Sequence, residues 1–341
     1  MLRVEVLSVE DKRWDEVVKK SVEFDFYHTA VYHKLDNSDV SKLYCCFEDD
    51  NFIALPIVVR EIENTDYKDI TSVYGYAGPI FSVAYNEISE NLKSFFINSF
   101  KSFCEKEKIV SLFMRLNPLI GQMDLMTQIG EVSNINKTVS IDLTLPLELQ
   151  KKDYRKSLKS ELNQLRRKGF EVIEAVSESE IDEFIAIYYE TMDRVNAKPN
   201  YYFSRDYFYN FLKNESFQNK LLLCRWEDKI VAGAIFTIAN NVMQYHLAGT
   251  KEEFIKDTPM KLILDEARII GADLGLRDLH LGGGVGGKDD DSLFKFKSGF
   301  SKKLYQFSVC KSIVNLEIYN GLISDKSVLD LNSSYFPLYR L

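Results

Sequence analysis

One order of elements runs through this chain twice, and a repeat of that length commits the chain to two bodies of the same kind. In the first copy, apolar runs at residues 42–49 and 52–59 flank a short acidic turn; runs at 221–228 and 230–236 do the same in the second. Each pair reads as a β-hairpin. Downstream, Tyr74-Gly75-Tyr76-Ala77-Gly78 resembles Tyr245-His246-Leu247-Ala248-Gly249, each closing a strand-like run. A helix with one apolar face follows in both copies. It covers 87–108 with Leu92, Phe95, Phe96, Phe100 and Phe103, and 259–274 with Leu262, Ile263, Ala267 and Ile270. A further strand comes after each helix, at 110–116 and 276–281. The repeated order strand–strand–strand–helix–strand predicts an α/β (α+β) chain of two tandem modules, each a mixed, mostly antiparallel sheet flanked by helices.

The length of 341 residues suits two domains, and 45% apolar residues suffice for sizeable cores. The expected division is a first domain over 1–145, a connecting basic helix over 146–169, a second domain with the main catalytic elements over 170–320, and a tail over 321–341 packing back on the fold. The net charge of −8 excludes general DNA binding, which needs phosphate neutralisation. The opening Met1-Leu2-Arg3-Val4-Glu5-Val6 lacks a long apolar run, and no apolar stretch reaches membrane-spanning length. A cytoplasmic protein with at most peripheral membrane contact is expected. Cys45, Cys46, Cys104, Cys224 and Cys310 are odd in number and fit no metal-knuckle spacing, so buried reduced thiols are expected. His28, His33, His246 and His280 also lack metal-ligand spacing, and no metal is expected.

Between the modules, residues 138–143 alternate like a strand, and Pro146 opens a predicted helix running to about Lys168 with Gly169 as its C-cap. It carries Lys151, Lys152, Arg155, Lys156, Lys159, Arg166, Arg167 and Lys168, which is either a solvated face or a platform for an anionic substrate or carrier.

The chemistry concentrates further on. Leu281-Gly282-Gly283-Gly284-Val285-Gly286-Gly287-Lys288 follows a predicted strand, and such glycines let a backbone approach a ligand closely, or make a plain flexible loop. It is not a P-loop, because Asp289 follows Lys288. In Phe294-Lys295-Phe296-Lys297, a strand would put both lysines on one face; they are surface lysines or, for one fixed by aromatics, a charge on a developing oxyanion. A helix beginning near Glu180, with Ile181, Phe184, Ile185 and Tyr188 on one face, ends near Arg194, a dipole partner or an anion clamp. No nucleophile–base pair, GxSxG elbow or HExxH motif is present. That inventory suits direct attack of an amine on an activated ester or thioester, which needs positioning and charge stabilisation only.

These stretches resemble the FemAB-type aminoacyltransferases within the GNAT superfamily. The likeness rests on His280-Leu281-Gly282-Gly283-Gly284 through Phe296-Lys297-Ser298-Gly299-Phe300, similar to a small-residue loop leading into Phe-Lys-x-x-Phe. It extends to Tyr74-Gly75-Tyr76-Ala77-Gly78-Pro79, Arg155-Lys156-Ser157, Lys168-Gly169-Phe170 and Thr191-Met192-Asp193-Arg194. The resemblance implies two GNAT-like domains and acyl or aminoacyl transfer to an amine of a cell-wall or surface-glycan precursor. It implies catalytic roles for Lys297 and Phe296, and substrate contacts at Tyr76, Arg194, Tyr201, Tyr202, His246, Gly283, Gly284 and Lys288. No tightly bound cofactor is expected; the donor is aminoacyl-tRNA or acyl-CoA, and the acceptor an envelope precursor or nucleotide sugar. The alternatives are an acyl-CoA-dependent N-acetyltransferase acting on an amino sugar or small amine, and a non-catalytic ligand-binding module. The Arg/Gln-x-x-Gly-x-Gly/Ala loop that holds coenzyme A pyrophosphate in GNAT enzymes is replaced by Thr250-Lys251-Glu252-Glu253-Phe254-Ile255-Lys256-Asp257-Thr258-Pro259.

Overall fold

The computed structural model describes residues 1–37, 40–284, 291–324, 333 and 335–341. It divides into two compact units, Met1–Ile135 with Gln306–Leu341, and Asn136–Tyr305.

The first unit contains β1 (Leu2–Ser8), α1 (Arg13–Lys20), α2 (Ala30–Asn37), β2 (Ser41–Glu48), β3 (Asn51–Glu61), β4 (Lys68–Thr71), β5 (Ile80–Phe81), α3 (Glu90–Lys106), β6 (Ile109–Arg115) and α4 (Met123–Met126). Its sheet runs β1-β2-β3-β4-β6 and is completed by β13 (Lys303–Ile313), with β5 pairing β3. Neighbours are antiparallel except β4 and β6, which are parallel. The β2–β3 hairpin turns tightly because Asp49 takes a φ of 54°, the left-handed conformation such a turn needs. Ser89 caps α3, and Leu92, Phe96 and Phe100 bury the expected face.

The second unit holds β7 (Glu131–Asp142, from Asn136 on), α5 (Leu147–Gln150), α6 (Leu158–Arg167), β8 (Phe170–Glu174), α7 (Glu178–Arg194), α8 (Arg205–Lys213), β9 (Gln218–Trp226), β10 (Lys229–Ala239), β11 (Val242–Thr250), α9 (Met260–Asp273), β12 (Asp278–Gly282) and α10 (Ser292–Ser298). Its sheet runs β8-β9-β10-β11-β12-β7. Here too every pair is antiparallel but one, the parallel pair β11–β12. Both sheets therefore share one pairing pattern over six strands, and the fold is a mixed α/β one with largely antiparallel sheets. Helices cover both faces in the second unit. Ala232 and Ala234 join the core built by Leu262, Ile263 and Ala267 of α9, while the intervening Gly233 faces Phe184 of α7.

The division of the chain differs from the expected one. Residues 136–169 belong to the second unit rather than forming a separate connection, and β13 returns to the first. The tail joins the first unit through α11 (Leu316–Ser324), with Tyr339 buried and Arg340 paired to Asp69 at 2.8 Å. The single basic helix expected over 147–168 is also broken. A short 3-10 turn follows α5 at Lys151–Asp153, and α6 starts only at Leu158. The break arises because Tyr154 turns inward and the Arg155 N–H donates to the Gly299 carbonyl at 2.8 Å, outside any helical ladder. Much of the basic stripe is internally neutralised: Arg155 pairs Glu161, Arg166 pairs Asp265 and Lys168 pairs Asp257. All five cysteines are buried, and burial pushes the Cys46 thiol up to about 11 and those of Cys104, Cys224 and Cys310 to about 12. Among the described residues no helix is long and apolar enough to cross a membrane.

Candidate active site

The parallel strands β11 and β12 pair over only three positions, Val242↔Asp278, Met243↔Leu279 and Gln244↔His280. Beyond them β11 continues against β10, and β12 against β7. The two strands therefore part at their C-terminal ends, the place where an open sheet offers a ligand both backbone and side chains. At the parting point His280 Nδ1 lies 2.7 Å from Gln244 Oε1. One residue on, β11 carries a bulge: Ile235 pairs Leu247 and Phe236 pairs Tyr245, leaving His246 as the extra residue.

Lys297 enters this place from α10. Residues 294–297, read above as a possible strand, are helical because the Asp291 carboxylate accepts from the Phe294 N–H at 2.8 Å and caps the turn. On a helix the two lysines diverge instead of sharing a face: Lys295 is exposed and Lys297 is only 7% exposed. The Lys297 ammonium donates to the Gly283 carbonyl at 2.8 Å and stands 5.5 Å from the centre of the Tyr245 ring. Burial lowers its pKa to about 8, against the opposing pull of Asp291. Phe296 is half-buried, packs on the unit's core and meets Phe300 edge-on at 5.8 Å. A Cβ at Gly284 would collide with the Asp291 carboxylate, so a larger residue there would displace the cap of α10. Lys288 lies outside the described residues.

The other expected contacts stand elsewhere. Arg194, at the end of α7, donates to the Thr250 carbonyl at 3.0 Å and to Thr191 Oγ1 at 3.4 Å, tying α7 to the end of β11. Tyr201 accepts from the Tyr188 hydroxyl through its carbonyl at 2.9 Å, and the Tyr202 hydroxyl donates to Asp193 at 2.8 Å. His246 stacks on Phe211 of α8 at 5.0 Å, and burial lowers its pKa to about 3, so it packs as a neutral ring. Tyr76 belongs to the first unit, edge-on to Tyr27 at 5.8 Å and Phe307 at 5.2 Å. Lys297, Phe296, Gly283 and Gly284 are thus brought together, while Arg194 bonds to the end of β11 and Tyr201 and Tyr202 bond to other residues of α7. The Gln244–His280 pair, Tyr245 as a ring beside the ammonium, and the Asp291 cap were not singled out from sequence. An aspartate three residues before an apolar helical position was the available signal for the cap.

The start of α9 is where a GNAT fold would hold the pyrophosphate of coenzyme A, and its residues do not fit one. A helix start binds an anion through open N–H groups. Here the chain itself takes two of the first ones: Lys261 N–H donates to Thr258 O at 3.1 Å and Leu262 N–H to Pro259 O at 2.9 Å, while in the stretch leading in Glu252 N–H donates to the Glu190 carboxylate at 2.7 Å and Asp257 N–H to Phe254 O at 3.1 Å. Pro259, at the N-cap, has no N–H to offer.

Residues 152–297 match the model of the family described as acetyltransferase (GNAT) domain, a span ending on Lys297. The second unit carries a GNAT acetyltransferase domain. It is of the acyltransferase type that the sequence resemblance implied. Among solved structures, the crystal structure of FemX shares the fold over 93% of this chain and 99% of its own, with a TM-score of 0.71 at 12% identity. L-PGS from Bacillus licheniformis shares it over 92% and 96%, with a TM-score of 0.61 at 13% identity. A conserved protein of unknown function from Bacteroides thetaiotaomicron does so over 92% and 100%, at 0.58 and 12%. At these identities the likeness is one of fold. No curated protein matches the sequence.

Proposed function

We propose that this GNAT-type acyltransferase moves an aminoacyl group from an ester donor, aminoacyl-tRNA, to an amine of a cell-envelope precursor. The observation carrying this reading is Lys297: a buried ammonium, held on the Gly283 carbonyl, where two parallel strands part. In the reaction the acceptor amine attacks the ester carbonyl carbon. The C–N bond forms, the C–O bond to the donor breaks, and the proton that the amine gives up to solvent is matched by one that solvent gives to the donor oxygen, which departs as a hydroxyl. The Lys297 ammonium stabilises the carbonyl oxygen as charge develops on it, a task worth orders of magnitude in a water-poor site. Phe296 and Tyr245 keep water off that charge. Arg194, Tyr201 and Tyr202 are proposed as contacts to the acceptor.

The occupied start of α9 favours a donor without a coenzyme A pyrophosphate. The description of the family matched over 152–297 favours a second reading, acetyl-CoA-dependent N-acetylation of an amino sugar or small amine. One pair of measurements separates the two. Radiolabel from charged tRNA is expected to reach an amine-bearing peptidoglycan precursor, and titration calorimetry with acetyl-CoA is expected to give no heat. Saturable acetyl-CoA binding, with no label transferred from tRNA, would replace the first reading with the second.

A further inference from the structure

Helix α10 has seven residues, too few to hold its shape alone, yet it places a buried ammonium. Its first turn is held by the Asp291 cap. Its last turn is held from the break between α5 and α6. There the Arg155 N–H donates to Gly299 O at 2.8 Å, and the Tyr154 ring meets Phe300 edge-on at 5.5 Å. Arg155 also lies against Gly299, 3.2 Å from where a Cβ would stand.

That break is fixed in turn by a buried ionic network on α9. The Tyr154 hydroxyl donates to Asp265 at 2.7 Å. Asp265 also accepts from Arg268 at 3.0 and 3.2 Å and from Arg166 at 2.7 Å. Asp265 and Arg268 are both 0% exposed. Arg268 donates onward to Gln150 at 3.0 Å, and Gln150 to the Leu145 carbonyl at 2.7 Å. A buried ion pair of this kind rarely outperforms well-packed apolar side chains in stability, so its use lies in what it fixes. What this one fixes is the stretch from Gln150 to Arg155, which carries the support of α10.

We propose that Tyr154, Asp265 and Arg268 are positioning residues for Lys297, setting where its ammonium stands through the contact between Arg155 and Gly299. The proposal rests on the reading that Lys297 carries the transfer. The groups facing Lys297 are Tyr245 on β11, His280 on β12 and Asp291 at the start of α10, and none of them belongs to the network. Loosening the network lets α10 shift at its end and admits water to the ammonium.

The test uses the full chain labelled with 15N-lysine, following the Lys297 Nζ resonance against pH beside the transfer rate. Tyr154→Phe keeps the ring on Phe300 and removes the bond to Asp265. It is expected to lower kcat about tenfold with KM unchanged, since small misplacements act on the rate. The Lys297 titration and the alkaline limb of the pH–rate profile are expected to move upward together. Gly299→Ala presses on the same contact from the α10 side and is expected to move the titration the same way, which covers a Tyr154→Phe protein that does not fold. If both variants alter only the melting temperature and leave the titration in place, the inference is overturned. If Lys297→Met keeps the wild-type rate, the reading of Lys297 falls, while the titration still decides the positioning claim.

Discussion

The two units share a strand order and differ where their parallel strands part. In the second unit, β11 and β12 separate beyond Gln244 and His280, and a lysine with a lowered pKa stands there. In the first, the chain beyond β6 reaches α4 through Asn117 and Gln122, which stitch the corresponding place shut. Gln122 accepts from the Asn117 N–H at 2.7 Å and donates to Ala77 O at 2.9 Å and Pro79 O at 2.8 Å. Asn117 in turn donates to buried Asp25 at 3.2 Å. One topology thus yields a fully paired plug of neutral amides and a place built around an ionisable ammonium. One copy serves stability there, while the other holds a desolvated charge.

This contrast predicts effects of opposite sign on stability. Gln122→Ala takes the side-chain bond from buried Pro79 O and leaves Asn117 N–H and Ala77 O with the 3.1 Å bond between them, and is expected to cost about 2–3 kcal/mol in urea unfolding. A loss under about 1 kcal/mol, the worth of a single ordinary hydrogen bond, would show that the plug is not structural.

Acid comes next. Burial holds His28 near a pKa of about 4 and His33, His246 and His280 near about 3, all below the ordinary 6.5. Unfolded histidines bind protons first, so stability present above pH 6.5 is lost as pH falls toward 4. Asp25, raised by burial to about 7, acts in the opposite sense over that window but is one group against four. Urea midpoints are expected to fall across this range, and a flat profile would contradict the neutral burial of these rings.

Lys297→Met gives the smallest expected change and the opposite sign. Below pH 8 the folded state holds a charge that water would solvate better, so removing it is expected to raise stability by about 1–2 kcal/mol at pH 7. Destabilisation instead would make Lys297 a structural residue like Gln122.

Much of this was legible in the sequence where a local rule governs. The hairpins, the apolar faces of α3 and α9, and the capping of α7 by Ser177 with Glu180 follow from turn chemistry and periodicity. Tertiary contacts hid the rest. The likeness of Tyr74–Gly78 to Tyr245–Gly249 does not extend to conformation, since positive φ at Gly75 and Gly78 takes the first out of any strand while the second lies within β11. The basic helix breaks because Tyr154 answers to Asp265, far off in sequence. Phe294-Lys295-Phe296-Lys297 alternates like a strand, but its cap at Asp291 decides for a helix and so buries one lysine of the two.

The measurement that bears most directly on the account is the rate of label transfer from charged tRNA to an amine-bearing acceptor by Lys297→Met, at neutral pH and beside its melting curve. A loss of about 10²–10³ in kcat is expected, the usual worth of one preorganised charge at a developing oxyanion, in a protein at least as stable as wild type. Transfer at the wild-type rate by that variant would contradict it.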